Sequence, residues 1–414
     1  MNSNKKYNIM ILNHHASSPD VGGGGRHYEI GKLLSENGHK VTIIASSYAQ
    51  GKKVYRFPQE IVMKKLNDDF SFVWLKTKPA YKNTFTRFIN YIDYMRKASK
   101  FHTFEEPPNV IIASSVHPLA WVAGYELSQK YNAKFIVEVR DLWPLSMYED
   151  FDGFIRDVVF KFFERLEEKY YNLASSIITT APFAYEYMEE MYGIDKEKVV
   201  HIPHGIDIDK FDENIQQSDD ILDQELNNVL NNYFCITYTG SLSKSEGLDT
   251  FVKAARYLKE YEDIRIVIVG NGKEKENLIE IINKESLTNV IMFDRIERDS
   301  VPLVLKKSDI LLCGLMERKA FDYGISKNKF YDYMAAEKPI IFASNVRGSL
   351  IDEAKAGITI RPNDPRKLSE SILYLYNNMG TLGKEYGENG RKYVEKYHTT
   401  EKVAQDFMKV ITSN

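Results

Sequence analysis

The stretch YGISKNKFYDYMAAEKPIIFAS, Tyr323 to Ser344, sets out in one pass the unit that the rest of the chain repeats. Gly324 marks a turn. Ser326-Lys327-Asn328-Lys329 is a polar loop, and residues 328–337 read as a helix with Asp332 in its first turns. Lys338-Pro339 ends that helix, because proline has no N–H to give and forces its predecessor into extended backbone. The all-apolar run that follows reads as a strand buried on both faces. A loop feeding a helix N-terminus presents unpaired N–H groups and the positive end of the helix dipole. Lys329 adds a point charge there, and Asp332 adds an acceptor about one turn on. Together they suit a ligand with a diphosphate on one side and ribose hydroxyls on the other. The alternative is an ordinary loop, helix and strand with no ligand.

Outward from that stretch the same alternation continues. In the second half, strands are predicted at residues 235–239, 264–269, 290–293, 310–313 and 340–342, with helices at 248–260, 273–285 and 328–337 between them. In the first half, strands are predicted at 8–12, 41–45, 110–113, 134–139, 176–180 and 199–203. Helices fall at 26–37, with Gly38 just past the C-terminus, and at 154–173. Short apolar strands separated by amphipathic helices imply parallel sheets, and two such series imply two doubly wound α/β domains. Ligands in such folds bind outside the C-terminal strand ends. The boundary is expected after HIPHGID, giving an N-terminal domain over 1–207 and a C-terminal domain over 208–382. Residues 212–232 read as a polar linker or insertion. Residues 383–414 read as helices that pack back across the domains.

At 414 residues the chain has room for two domains of common size. A net charge of −3 argues against nucleic acid as the main partner, which would need a broad basic face. The only two cysteines, Cys235 and Cys313, lie in apolar runs and read as buried thiols of a reducing compartment. Neither a secretory leader nor a run long enough to span a bilayer is visible, so the expectation is a cytoplasmic protein.

Several loops at predicted strand ends carry chemistry. Gly22-Gly23-Gly24-Gly25 opens the helix at Arg26 and lets backbone approach a ligand closely, or is simply a flexible surface loop. Its distance from the first strand, and Ser46-Ser47 where a ribose-binding acid would stand, argue against a dinucleotide fingerprint. His117, in ASSVHPLAW, lies just past a strand end, where a neutral imidazole can serve a substrate hydroxyl. The alternative is a helix-start histidine without a ligand. Arg140-Asp141 ends another strand, facing a cleft or forming a local salt bridge. Gly240-Ser241 and Gly270-Asn271-Gly272 each follow a second-half strand and together outline one nucleotide pocket. No set of His14, His15, His201 and His204 has metal-ligand spacing. In residues 74–100, Lys76, Lys78, Lys82, Arg87, Arg96, Lys97 and Lys100 interleave with Trp74, Tyr81, Phe85, Phe88, Tyr91 and Tyr94. That mixture fits either an anionic membrane surface or a solvated helix with a buried aromatic face.

In order, NHHASSPDVGGGGRHYE, SSVHPL, FIVEVRDLWP, VVHIPHGID, YTGSLSKSEGLDT, VGNGKEKE and YGISKNKFYDYMAAEKPI resemble the retaining glycosyltransferases of the family 4 type. Among them the chain is most similar to the bacterial capsule, O-antigen and exopolysaccharide enzymes akin to L-N-acetylfucosamine (FucNAc) transferases. The resemblance spans essentially the whole chain. It implies a GT-B fold, two facing Rossmann-like domains with an inter-domain cleft. It also implies transfer of a sugar, such as an N-acetyl-deoxyhexosamine, from a UDP-sugar to an undecaprenyl-diphosphate-linked saccharide. The site would be metal-independent, with the UDP-sugar a substrate and no cofactor, and the enzyme would work peripherally on the inner face of the cell membrane through residues 74–100.

By the same resemblance His117, Arg140 and Asp141 are the catalytic candidates. Gly24, Gly25, Gly240, Ser241, Lys244, Gly270, Gly272, Arg295, Gly324, Ile325, Ser326, Asn328, Lys329 and Asp332 are the donor-binding candidates, with Asp332 on the ribose hydroxyls. The chain departs from the family pattern in four places, one of them the loop Ser326 to Asn328, which differs in length and chemistry. The first acid of the paired-acid motif has no match, and Ser241 and Glu246 replace the usual Arg and Lys. Lys244 or Lys329 is left to supply that charge. Two other functions are compatible with the fold: a UDP-sugar 2-epimerase and a non-catalytic nucleotide-sugar-binding subunit.

Overall fold

The computed structural model describes residues 5–21, 25–50, 53–80, 84–102, 106–115, 117–146, 153–217 and 221–413. Apolar, β-branched runs form the strands. Along the chain these are β1 (Asn8–Leu12), β2 (Lys40–Ser46), β3 (Tyr48–Ala49), β4 (Val54–Tyr55), β5 (Ile61–Lys65), β6 (Phe70–Leu75), β7 (Val110–Ser114), β8 (Lys134–Val139), β9 (Ser176–Thr179) and β10 (Val199–His201). They continue with β11 (Phe234–Ser241), β12 (Ile264–Asn271), β13 (Val290–Phe293), β14 (Ile310–Gly314), β15 (Ile340–Ala343) and β16 (Gly357–Ile360). The first sheet has eight strands in the order β10-β9-β8-β7-β1-β2-β6-β5, and the second has six in the order β13-β12-β11-β14-β15-β16. Pairing is parallel except at the edge strand β5, which runs antiparallel to β6, and in the small β3–β4 hairpin.

The chain divides into two units, residues 1–203 with 400–414, and residues 204–399. The change of unit falls between Pro203 and His204 rather than after Asp207. The helical tail is shared: Lys384–Tyr397 belongs to the second unit, and Thr400–Thr412 packs in the first through Val403, Phe407, Val410 and Ile411.

Two segments differ from the sequence reading. Residues 212–232 hold the helices Ile208–Ile215 and Gln224–Asn232 instead of an open linker, and Leu226, Val229 and Leu230 bury one face at helical spacing. Residues 53–80, where the sequence reading places no strand, hold β4, β5 and β6. Strand β6 is almost wholly buried and pairs with β2 from Val41↔Phe70 to Ser46↔Leu75.

In each sheet the strand order reverses beside one central strand. In the first sheet the crevice lies between β1 and β7, in the second between β11 and β14. Loops leaving the C-terminal ends of those strands diverge and leave room for a ligand. Packing fixes the elements around the first crevice. A Cβ at Gly124, on the helix Leu119–Tyr131, would come within 2.6 Å of the Ala113 methyl, so that helix lies directly on β7 just after His117.

Candidate functional site

In the first unit, β1 ends at Leu12 and the chain turns into Asn13, His14 and His15, while β7 ends at Ser114 and leads to His117. The adjacent ends bring His14 Nδ1 and His117 Nε2 to 2.7 Å. Both imidazoles are buried, at 1% and 0% exposure. Tyr94 stacks on His14 with centroids 4.4 Å apart, and Tyr91 stacks on His117 at 4.0 Å. Burial, reinforced by the neighbouring histidines, holds both rings well below the ordinary 6.5. They are a neutral pair in which one ring donates and the other accepts. Burial and the charge of Arg56 bring His15 to about 4.

The C-terminal ends of β7 and β8 carry polar atoms with no protein partner. His117 Nδ1, Ser114 Oγ and Arg140 Nε are all buried and unbonded. Buried polar groups are paired in most proteins, so these atoms are candidates for contact with a polar ligand. Arg140 and Asp141 form no ion pair with each other. The Arg140 backbone N–H donates to Ser115 Oγ, and Asp141 is exposed.

Beside this pair lies a buried ionic group. Glu138, fully buried on β8, accepts from Arg26 Nε at 2.8 Å and from His27 Nε2 at 2.6 Å. Asn13 Nδ2 donates to His27 Nδ1, so the His27 proton sits on Nε2. Burial alone would push the Glu138 carboxyl up, but His27 and Arg26 outweigh it and hold it well below the usual carboxylate range. Arg26 also donates to the Ile202 and Pro203 carbonyls. This network anchors the start of the helix Arg26–Glu36, where Gly25 is the cap, and a Cβ at Gly25 would meet nothing within 4 Å. Gly24 lies outside the described residues.

In the second unit, the tip of β11 is Gly240 with φ +148°, a conformation that side chains disfavour. A Cβ there would lie 3.1 Å from Lys329 Nζ, and one at Gly270 would lie 1.9 Å from the Gly240 carbonyl oxygen. The two glycines therefore let the tips of β11 and β12 approach each other and leave Lys329 uncovered over β11. Lys329 Nζ donates to Tyr238 Oη at 2.9 Å and to Glu246 Oε2 at 2.8 Å, and it lies over the Tyr238 ring. Lys327 Nζ donates to the other oxygen of Glu246 at 2.6 Å.

Lys327 and Lys329 straddle the start of the helix Asn328–Ala335, which no side chain caps. Asp332 stands three residues after Lys329, on the same helix face. Burial raises its carboxyl to about 6 against the pull of Arg298. Gly324 turns the entering loop at φ +81°. Ser326 Oγ fixes that loop by accepting from the His204 N–H and meeting Tyr331 Oη at 2.7 Å.

The structure thus brings together Gly240, Gly270, Lys329 and the loop from Gly324 to the helix start, with Asp332 one turn in. Ile325 packs on the core, while Asn328 and Ser241 are exposed. Gly272 is exposed in the loop after β12. Lys244 and Arg295 are exposed and take no part in the lysine cluster. Of the two charges proposed to replace the usual pair, Lys329 is the one at the strand tip.

Sequence reasoning missed Tyr238 and Arg298 as site residues, and also His14 and Tyr91, and it placed Lys327 in the loop without a role for its ammonium group. His14 had a signal, its place immediately after β1, equivalent to that of His117 after β7. Tyr91 comes from a distant helix and had none. In the basic segment 74–100, Trp74 and Tyr94 are core residues and Tyr91 covers His117, so the buried aromatic face accounts for most of its aromatics. Phe85 is the exception at 71% exposure, and Tyr81 and Lys82 lie outside the described residues. Among the described residues no helix is long and apolar enough to cross a membrane.

Comparison with known proteins matches both halves. Residues 21–210 match the family described as Glycosyltransferase Family 4, and residues 222–393 match Glycosyl transferases group 1. The chain is 26% identical over 199 residues to the capsular polysaccharide biosynthesis glycosyltransferase CapM of Staphylococcus aureus, covering 46% of this chain and 48% of that one. It is 29% identical over 132 residues to the UDP-Gal:alpha-D-GlcNAc-diphosphoundecaprenol alpha-1,3-galactosyltransferase of Escherichia coli, covering 30% and 32%. Three other curated relatives are spanned over 43%, 37% and 30% of their length, so these alignments reach less than half of each relative. The structure of HepE from Anabaena in complex with UDP superposes with a TM-score of 0.69 at 13% identity, covering 98% of this chain and 100% of that one.

Proposed function

The chain belongs to the GT-B glycosyltransferases of the group 1/family 4 superfamily, and from that premise we propose that it moves a sugar from a UDP-sugar to a lipid-diphosphate-linked saccharide. The product would feed a capsule, O-antigen or exopolysaccharide. The observation that carries this reading is the second unit's cluster. Two lysines, a glycine-tipped strand and an uncapped helix start lie together, with a carboxylate one turn along. A nucleoside diphosphate fits that chemistry: Lys327, Lys329 and the helix N–H groups meet the diphosphate, and ionised Asp332 accepts from the ribose hydroxyls. The UDP-bound relative supports uridine as the base, and the diphosphoundecaprenol-dependent relative supports the acceptor class.

In the reaction, the bond from the anomeric carbon to the diphosphate oxygen breaks as the acceptor hydroxyl oxygen bonds to that carbon. The hydroxyl proton passes to the leaving phosphate, and attack from the same face retains configuration. Charge growing on the leaving group is met by fixed cations and dipoles, which need no rearrangement at the moment of reaction. No metal takes part in this scheme. In the first unit His117, kept neutral and with Nδ1 unbonded to protein, is the proposed catalytic group, and Arg140 and Asp141 follow the neighbouring strand β8. An N-acetyl-deoxyhexosamine such as FucNAc is the proposed sugar. Exposed Phe85 and the basic residues around it form the proposed contact with the inner membrane face.

The test is a thermal-shift screen of nucleotides and UDP-sugars with and without EDTA, followed by transfer to a polyprenyl-diphosphate-linked acceptor. Stabilisation by UDP that survives EDTA, together with transfer, is the expected result. Conversion of a UDP-sugar with no acceptor present would replace the transferase by an epimerase. Silence toward every nucleoside diphosphate would end the proposal.

A further inference from the structure

Glu246 puts a negative charge inside the cluster proposed to hold a diphosphate. It sits in the turn after β11 and is 7% exposed. Its backbone is pressed against β14, since a Cβ at Gly314 would come within 2.4 Å of the Glu246 carbonyl oxygen. The side chain is therefore not a surface group that drifts into contact. Its two oxygens take one lysine each, Lys327 at 2.6 Å and Lys329 at 2.8 Å. Burial pushes its carboxyl up, but the two ammonium groups outweigh that and hold it below the ordinary 4.5, so it is ionised at neutral pH.

An ammonium group has three N–H donors. Lys327 gives one to Glu246, and Lys329 gives one to Glu246 and one to Tyr238. Three charge-assisted donors remain, on two ammonium groups that would repel each other without the shared carboxylate.

We propose that Glu246 is a positioning residue for the donor diphosphate: its bridging carboxylate holds Lys327 and Lys329 as a pair whose remaining N–H groups receive the phosphate oxygens. The inference rests on the donor site proposed above. It runs against simple charge counting, in which a carboxylate beside a diphosphate only repels it, and the two views differ in sign. An amide at this position has one acceptor oxygen, so it holds one lysine and releases the other. Although Glu246→Gln makes the cluster more positive, it is expected to bind UDP on the order of tenfold more weakly, the scale of a lost charge-assisted hydrogen bond. Binding of uridine, which has no phosphate, stays unchanged. Glu246→Asp, which keeps the charge, recovers part of the loss.

The experiment is calorimetric titration of the full chain and both variants with UDP and with uridine, with melting curves confirming that each variant folds. Selective loss of UDP affinity in Glu246→Gln supports the proposal. Equal or tighter UDP binding by that variant overturns it while leaving the donor site standing. Parallel loss of UDP and uridine also overturns it, because the carboxylate would then be shaping the unit rather than the lysines. If the unaltered chain binds no nucleoside diphosphate, the donor site fails first and this inference goes with it.

Discussion

Asp332 should weaken the fold that it serves. In the folded chain its carboxyl titrates near 6 against an ordinary 3.8, because burial opposes the charge more than Arg298 favours it. The sign follows from proton counting. Below about pH 3.8 both folded and unfolded chains are protonated and nothing is lost. Between 3.8 and 6 the unfolded chain releases its proton while the folded one keeps it, so stability falls as pH rises. Above 6 both are ionised and the deficit is constant. At about 1.4 kcal/mol per pH unit the deficit reaches at most about 3 kcal/mol, and solvent at this half-buried group brings it nearer 2. Asp332→Asn removes the charge and should raise the melting temperature at pH 7.5 by several degrees, about 2–4 °C per kcal/mol for a unit of this size. At pH 4.5 most of the gain should vanish. The same variant should lose the stabilisation that UDP gives the unaltered chain. Scanning calorimetry at the two pH values, with and without UDP, reads all of this. A variant less stable than the parent at pH 7.5, or equally stabilised at both pH values, would refute the electrostatic argument. A retained UDP response would refute the ribose role.

Four further outcomes follow from the same structure. UDP affinity of the unaltered chain should fall as pH drops below about 6, because protonated Asp332 no longer accepts from both ribose hydroxyls; calorimetric titration from pH 5 to 8 checks this, and a flat profile contradicts it. His14→Phe keeps a ring against Tyr94 but removes the hydrogen bond to His117, so turnover should fall about 10–100-fold in a transfer assay while the UDP melting shift is unchanged. Glu138→Ala leaves Arg26 buried without its carboxylate and should cost about 3–5 kcal/mol in urea unfolding. Phe85→Ala with Arg87→Ala should weaken co-sedimentation with phosphatidylglycerol vesicles by about tenfold or more, and unchanged binding would remove this helix face from the membrane proposal.

The second unit was the more legible in sequence, and the reason is local. Its strands are short, apolar and separated by single helices, and the loop from Gly324 to Lys329 writes its chemistry in consecutive residues. What sequence could not supply there was the partner of each charge. Glu246 and Lys329 are 83 residues apart and meet because β11 and the helix Asn328–Ala335 share one end of the sheet. Read alone, Glu246 is a cation lost from the family pattern. In the fold it is a carboxylate gained between two lysines. In the first unit β5 and β6 escaped because residues 48–82 mix charges and aromatics without a clean alternation. The burial of β6 is set by β2 beside it, not by its own pattern. Residues 212–232 were misread for the opposite reason: polar residues dominate the count, yet Leu226, Val229 and Leu230 suffice to bury one helix face.

The two clusters differ in how they handle charge, and the difference follows from which elements supply them. At the β1–β7 crevice the groups nearest one another are imidazoles enclosed by Tyr91 and Tyr94, and burial keeps them uncharged. A neutral pair keeps its hydrogen-bonding state across the pH range in which a free histidine would switch, so it adds no limb near 6.5 to a rate profile. At the β11–β14 crevice the groups are ions in contact, and their balance is set by Glu246 against two lysines. Removing one member of the histidine pair therefore perturbs the placement of a proton, whereas removing one member of the lysine cluster perturbs the placement of a charge. The first should appear in turnover and leave nucleotide affinity alone. The second should appear in nucleotide affinity, and its salt dependence should rise when Glu246 no longer screens the lysines from one another.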